Sequence, residues 1–272
     1  MNVSPLLDIS ARFLSLSKHG WFYIFDKGFL FACDGLASES VRHTASVLLS
    51  LTNEPFEVEV NATRHRGTAF LIRPGVWRRV HASDTPVASL GLCPNHASFR
   101  AVSTSSGPED LWVLPREAFD DCDDGLQAAR AGLLSAAGAH SLGALIAQRA
   151  SQVVAEPPPL DARIVRVLAL MEEDLNPSMK RLADEVDLSY HRLSHLFSQE
   201  MGITLRLFTI SRKLDLAAMM AGQGLSLTQI AIGSGFSDSA HFCRTWMRWV
   251  GSPPSQILNS EKVGIRTAYG PH

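Results

Sequence analysis

The chain has 272 residues, and its 25 Lys and Arg stand against 27 Asp and Glu for a formal net charge of −2. An apolar content of 46% with 19% charged residues supplies buried cores and excludes a wholly disordered chain, while near-neutrality excludes bulk positive charge as the means of attracting nucleic acid. The length suits roughly two domains, and four scattered cysteines (Cys33, Cys93, Cys122, Cys243) without a C-x-x-C pair exclude a zinc ribbon, a thioredoxin-type motif and a disulfide framework, and fit a reducing compartment.

Met1 to Leu16 places Asp8 within its apolar stretch and has no basic residue before it, so it lacks the regions of a signal peptide. Seven strand-like segments follow: Trp21 to Phe25, Phe29 to Cys33, Ala45 to Leu51, Phe56 to Val60, Thr68 to Ile72, Val76 to His81 and Val87 to Cys93. They are short, rich in aromatic and β-branched residues, and punctuated by Gly, Pro, Asn and Asp, which predicts an antiparallel barrel or sandwich. Beyond Pro115 the composition turns to Ala, Leu, Gln and Arg at helical spacing, predicting helices over Leu126 to Ala136 and Leu142 to Val154. The mild apolar stretch Gly132 to Ala147, interrupted by His140, is too short and polar to cross a bilayer. A chain without membrane partners, located in the cytoplasm, is expected.

Glu156-Pro157-Pro158-Pro159 can continue neither a helix nor a sheet ladder. It divides the chain into a domain over 1–155, a linker over 156–160, a helical domain over 161–260 and a tail over 261–272, an α+β organisation. Ile164, Val167, Leu168 and Met171 mark one face of a helix ending near Asn176-Pro177, and further helices begin at Ser, Asp or Thr and end at Gly.

The helical half repeats itself weakly. Ser178, Leu182 and Ala183 recur as Ser226, Ile230 and Ala231, and Leu188-Ser189 recurs as Phe236-Ser237; past the turn, Leu193, Phe197 and Gly202 match Phe242, Trp246 and Gly251. Each copy has the parts of a helix-turn-helix: a small residue where two helices cross, an apolar plug after the turn, and a polar cap. In the first copy Leu193, Leu196 and Phe197 face inward, leaving Tyr190, His191, Ser194, His195 and Gln199 on the polar arc. In the second, Phe242, Trp246 and Trp249 are the buried set, with Ser239, Ala240, Cys243, Arg244 and Arg248 elsewhere. Thr204 to Ala221 forms a spacer helix roughly 25 Å long, a length that suits two recognition helices entering adjacent major grooves about 34 Å apart. A single helix-turn-helix is also a common packing unit; two copies at this spacing favour DNA.

The stretch from Leu182 to Leu258 resembles the DNA-binding domain of AraC/XylS-type transcription regulators. The resemblance rests on Ser189, Leu193, Leu196-Phe197 and Gly202, and above all on Ile230-Ala231-Ile232-Gly233-Ser234-Gly235-Phe236-Ser237-Asp238 followed by Phe242, Arg244 and Gly251-Ser252-Pro253-Pro254. It implies a sequence-specific regulator of transcription, activation as the commoner outcome, double-stranded DNA and RNA polymerase as partners, and a homodimer. Base contacts carried over by position fall at His191, Ser194 and His195 in the first unit and at Ser239, Ala240, Cys243 and Arg244 in the second, with Arg248 able to reach phosphate. Two departures stand out: Ile257-Leu258 occupies the place of a common Tyr-Arg, and His195 that of a frequent Arg, so the first helix is expected to depend more on phosphate and shape.

Gly67 to Trp77, with Pro74-Gly75 at its turn, resembles the strand, turn and strand of cupin-like barrels, the usual effector domain of such regulators. Cupin metal ligands are not matched, because no His-x-His occurs and Arg78-Arg79 precede a lone His81; no cofactor or metal is expected. A cupin-type metalloenzyme with a helical interaction domain is the alternative. Arg64, Arg66, Arg73, Arg78 and Arg79, with His65 and His81, form the densest basic cluster. Either Arg64, Arg66, Arg78 and His81 converge to clamp a small anionic effector, or they form a solvated rim paired with Glu54, Glu57 and Glu59. Asp120 to Gly125 lacks the ligand spacing of a calcium loop and is explained by stabilisation of the helix dipole. From Pro159 to Ser260 the count is 10 basic to 10 acidic residues, so affinity for DNA has to come from placement, with Glu172, Glu173, Asp174 and Asp184 turned away from the duplex.

Overall fold

The computed structural model describes residues 19–174, 177–220, 223–250, 253–255 and 263–267. Met1 to Leu16, the helix end at Asn176, Ala221, Gly251-Ser252 and Ile257-Leu258 lie outside the described residues.

Nine strands open the N-terminal half: β1 (Gly20–Phe25), β2 (Gly28–Cys33), β3 (Leu36–Val41), β4 (Ala45–Ser50), β5 (Phe56–Val60), β6 (Thr63–Gly67), β7 (Ala69–Ile72), β8 (Trp77–Ala82) and β9 (Val87–Leu92), with β10 (Leu111–Val113) after a short helix α1 (Phe99–Ser103). They form two sheets, of order β10-β7-β4-β9-β2-β1 and β3-β8-β5-β6, with every pair antiparallel. The expected barrel takes this two-sheet form. Phe56 of one sheet meets Phe70 of the other edge-to-face at 5.1 Å.

Burial separates the sheets. Residues of β1, β2, β4 and β9 are buried almost throughout, because helices cover their outer face. The helices are α2 (Asp123–Arg130) and α3 (Ala136–Ser151), reached through a 3-10 turn at Arg116–Cys122. Tyr23 Oη donates to the Ala129 carbonyl at 2.9 Å, and a Cβ at Gly143 would meet the Phe25 ring at 2.7 Å, so Gly143 lets α3 lie against β1. In β5 and β8 burial alternates, as expected of a sheet with one face in water.

Several boundaries differ from the sequence expectation. Strands β3 and β6 were not expected, since LASESV and TRHRG carry polar residues on both faces; β6 exists because Asn61 and Ala62, both at positive φ (48° and 63°), close a tight hairpin from β5. The helix expected over Leu126 to Ala136 stops at Arg130, where Gly132 takes φ 73° and Ser135 caps the next helix by accepting from Gly138 N–H. The segment set apart as a tail contains β11 (Val263–Thr267), which pairs in parallel with β1 and so returns to the N-terminal sheet. Arg266 lies over the Trp21 ring at 5.2 Å.

The C-terminal half consists of α4 (Ala162–Glu173), α5 (Met179–Asp184), α6 (Tyr190–Met201), α7 (Leu205–Met220), α8 (Leu227–Gly233) and α9 (Ser239–Val250). The prolines lie between α3 and α4, and the Pro158 carbonyl accepts from Arg100. The two halves meet along a polar seam. Arg100 Nε donates to the Glu200 carbonyl at 2.7 Å while its Nη2 reaches Glu200 Oε2 at 3.3 Å, and Ser103 Oγ donates to the Met201 carbonyl at 2.9 Å. The Arg100 bonds are charge-assisted and part-buried, and one such bond is worth about 1.5–3 kcal/mol. Exposed pairs such as Arg64 with Glu57 contribute far less. Asn95 Nδ2 donates to Asp215 Oδ2 at 3.1 Å across the same seam.

Desolvation pushes the Asp215 carboxyl up to about 7, and Asp26 adds to this, while hydrogen bonds from Cys93 and Asn95 and the charge of Arg212 oppose it. A carboxyl raised in the fold contributes stability that is complete below its unfolded value and is lost as pH rises through about 7. His43 and His96, lowered chiefly by burial, act in the opposite sense as pH falls. Melting temperatures of wild type and Asp215→Asn across pH 5 to 8 therefore isolate the carboxyl: the wild type is expected to lose stability relative to the variant as pH rises, and a constant difference would contradict it.

Candidate nucleic-acid interface

The internal repeat survives in the backbone. Leu188 N–H donates to the Ala183 carbonyl at 3.0 Å, and Phe236 N–H donates to the Ala231 carbonyl at 2.9 Å, so both turns close alike. Each turn passes through the left-handed region at the matching position, Asp187 at φ 53° and Gly235 at φ 82°. Ala183 and Ala231 are buried at the crossings, as small residues must be for the helices to approach.

Both first helices are capped. Ser178 accepts from Arg181 N–H in α5, and Ser226 forms a reciprocal capping box with Gln229 in α8. The second helices are each fixed at their start. Ser189 caps α6 by accepting from Arg192 N–H at 3.3 Å, and Leu193, Phe197 and Met201 bury its inner face. Asp238 accepts from His241 N–H at 2.7 Å at the start of α9; that bond, the Ser237 hydroxyl and Arg244 hold its carboxyl below the usual range. Phe242, Thr245, Trp246, Trp249 and Val250 bury the inner face of α9.

The spacer α7 spans 16 residues, about 24 Å, and touches both units. Phe208 packs edge-to-face on Phe197 at 5.3 Å, and Lys213 Nζ donates to the Gly235 carbonyl in the second turn at 2.7 Å. Arg212 pairs with Glu172 of α4 at 2.6 Å.

On α6, His191 and His195 are exposed with ring centroids 4.9 Å apart, and Ser194 beside them is half-buried. On α9, Ala240, Arg244 and Arg248 form one exposed stripe at i, i+4, i+8, flanked by half-buried Ser239 and Cys243, whose thiol is pushed up by burial. Arg248 ends the stripe beside the N-terminal half, where its charge helps to depress His43 and the His43 ring lies 5.1 Å from Trp249. Tyr190 of the expected polar arc and Arg192, which the expectation did not include, are both exposed on the first turn of α6, the end of a recognition helix that meets base edges. The signal was available, as both follow the capping Ser189 and precede the first buried Leu193.

A family model described as a helix-turn-helix domain matches residues 182–260. The arabinose operon regulatory proteins of Escherichia coli (strain K12) and Salmonella typhimurium are each 30% identical over 108 residues, 37% of this chain. The C-terminal domain is of the AraC/XylS type. These matches span 36% and 37% of the relatives' own lengths, about a third. Crystal structures of ToxT from Vibrio cholerae share the two-domain architecture: one, at 14% identity, has a TM-score of 0.51 over 88% of this chain and 96% of that one, and a likeness at that identity speaks for the fold.

Outside the AraC/XylS-type domain, the structure separates the expected effector residues. Arg64 and Arg66 point outward from β6, and His81 is half-exposed on the outer face of β8, 3.8 Å from Glu59. Register places Arg64 opposite Glu59 and Arg66 opposite Glu57. Arg78 alternates to the inner face and is 2% exposed. One clamp of Arg64, Arg66, Arg78 and His81 is therefore not formed; three lie on a solvated rim and the fourth is inside. Among the described residues no three His, Cys, Asp or Glu come together as metal ligands, and no helix is long and apolar enough to cross a membrane.

Arg244 is exposed and central on the α9 stripe, the position at which a base contact is expected. Arg244→Ala is expected to cost about 1–3 kcal/mol at one base-pair position and to relax preference there. Binding measured against a set of single-base operator variants checks this; a uniform loss across all variants would assign Arg244 to phosphate instead.

Proposed function

We propose that the whole chain is a sequence-specific, DNA-binding transcription regulator of the cytoplasm, in which the C-terminal domain reads DNA and the N-terminal domain senses a small molecule. The observation that carries this is the pair of capped helices α6 and α9, held by one spacer and exposing His191, Ser194 and His195 on one and Ser239, Ala240, Cys243, Arg244 and Arg248 on the other. The N-terminal domain bonds the carbonyl end of α6 through Arg100 and Ser103 and packs His43 on α9. A change inside that domain thus has a route to both reading helices. A ToxT structure holds an unsaturated fatty acid, which supports a small-molecule effector for this architecture. Activation through RNA polymerase and pairing as a homodimer complete the proposal, on the strength of the regulators it resembles. The cupin-type metalloenzyme is the weaker alternative, because the curated relatives are regulatory proteins.

The domain's charges balance, so nonspecific attraction is weak and specific binding must rest on few phosphate contacts. Full-length protein titrated with its own upstream DNA and with scrambled DNA, over a range of salt, is expected to discriminate by about a thousandfold or more at physiological salt. Equal affinity for both DNAs would remove the proposal.

A further inference from the structure

Among the described residues, the N-terminal domain holds two buried arginines with no acid to answer them. Four arginines of the described chain are buried: Arg42, Arg78, Arg116 and Arg212. Arg116 pairs with Asp123, and Arg212 with Glu172. Arg42 and Arg78 are 5% and 2% exposed, and among the described residues no carboxylate offsets either; burial lowers Arg42 to about 10, while burial and the charge of Arg42 lower Arg78 well below its ordinary value. A guanidinium does not shed its proton in a protein, so both remain cations in an interior where charge is otherwise paired.

Their hydrogen-bonding groups are also under-used. Arg42 Nη1 donates to Ser89 Oγ at 3.3 Å, but Arg42 Nε and Arg78 Nη2 have no partner in the described structure, nor do the hydroxyl oxygens of Ser38, Ser40 and Thr44. Ser40 stands directly opposite Arg78 in the β3–β8 register, and Ser38 and Arg78 are both buried. Like-charged guanidiniums brought together among hydroxyl donors reproduce the donor set that recognises an oxyanion. Thr44, two residues from Arg42, also lines a cavity between the sheet residues Phe22 and Ile24 and the C-terminal residues Leu214, Trp246 and Trp249.

We propose that Arg42 and Arg78, with the hydroxyls around them, form an oxyanion site inside the N-terminal domain that takes the carboxylate or phosphate group of a small molecule. The proposal deepens the regulator reading by naming the effector's chemistry, and rests on that reading only for its consequence; anion binding itself is measured without DNA. Arg42 is followed by His43, which touches Trp249, so the site adjoins a contact of α9.

The test is the melting temperature of the full chain in inorganic phosphate or in benzoate against chloride of equal ionic strength. A saturable rise with at least one oxyanion, roughly 3–5 °C at ten times its Kd, is expected. Arg42→Met and Arg78→Met should each abolish the rise while melting no lower than wild type without anion, because each removes an uncompensated buried charge. An Arg64→Ala, Arg66→Ala variant should keep the full response. Absence of any oxyanion response in wild type, a response retained in both Met variants, or its loss in the rim variant overturns the proposal. Probe preference separates a carboxylate from a phosphate ligand, and sequence-specific DNA binding, measured separately, stands or falls on its own.

Discussion

Helix α7 is the constraint on which the other parts depend. Within 16 residues it holds α4 through Arg212, the first reading helix through Phe208, the second turn through Lys213 and the N-terminal domain through Asp215. A helix is stiff over this length, so the two units cannot move independently along it. Such rigidity is what a near-neutral domain needs. With 10 basic and 10 acidic residues from Pro159 to Ser260, it gains little from general attraction to phosphate, and positioning has to supply what charge does not. Several acids are consumed in ion pairs on the α4 side, Glu172 with Arg212, Glu185 with Arg166 and Asp174 with Arg181, while Arg244 remains exposed on α9.

The seam between the halves turns this rigidity into a control point. Arg100 and Ser103 satisfy the carbonyls at the end of α6, groups that a helix terminus leaves without partners. At that end Gly202 takes φ 66°, and a Cβ there would meet Ser103 at 2.7 Å, so glycine serves both the turn and the close approach. Asp215 adds a titratable group near neutral pH to the same seam. The N-terminal domain therefore fixes α6 by bonds at its far end and meets α9 through the His43 ring on Trp249, leaving the exposed arcs of both helices uncovered.

Much of this was legible in the sequence, and for identifiable reasons. The helix-turn-helix units were visible because each needs a small residue, a plug and a cap at fixed spacing, and Ala183, Leu188 and Ser189 recur in kind at Ala231, Phe236 and Ser237. Most strands were visible as short aromatic and β-branched segments between Gly, Pro, Asn and Asp. Strand β3 was not, because its inner face carries Ser38 and Ser40 next to the arginines, and β11 was not, because a lone strand far along the chain has no local partner to announce it. The basic cluster misled because Arg78 and Arg79 are adjacent and either could face inward. The alternation of Arg78 with buried Val80 and Ala82 fixes the choice, and Arg42, its interior neighbour, carries no sequence signal of its own.

Two helices held by one spacer are expected to enter successive major grooves on one face of the duplex. Hydroxyl-radical footprinting with methylation interference on the bound operator tests it most directly. Two windows of protection about one helical turn apart and in phase are expected, with the protein lacking the Arg244 side chain losing interference in one window only. Protection confined to a single groove, or loss in both windows together, would contradict the account.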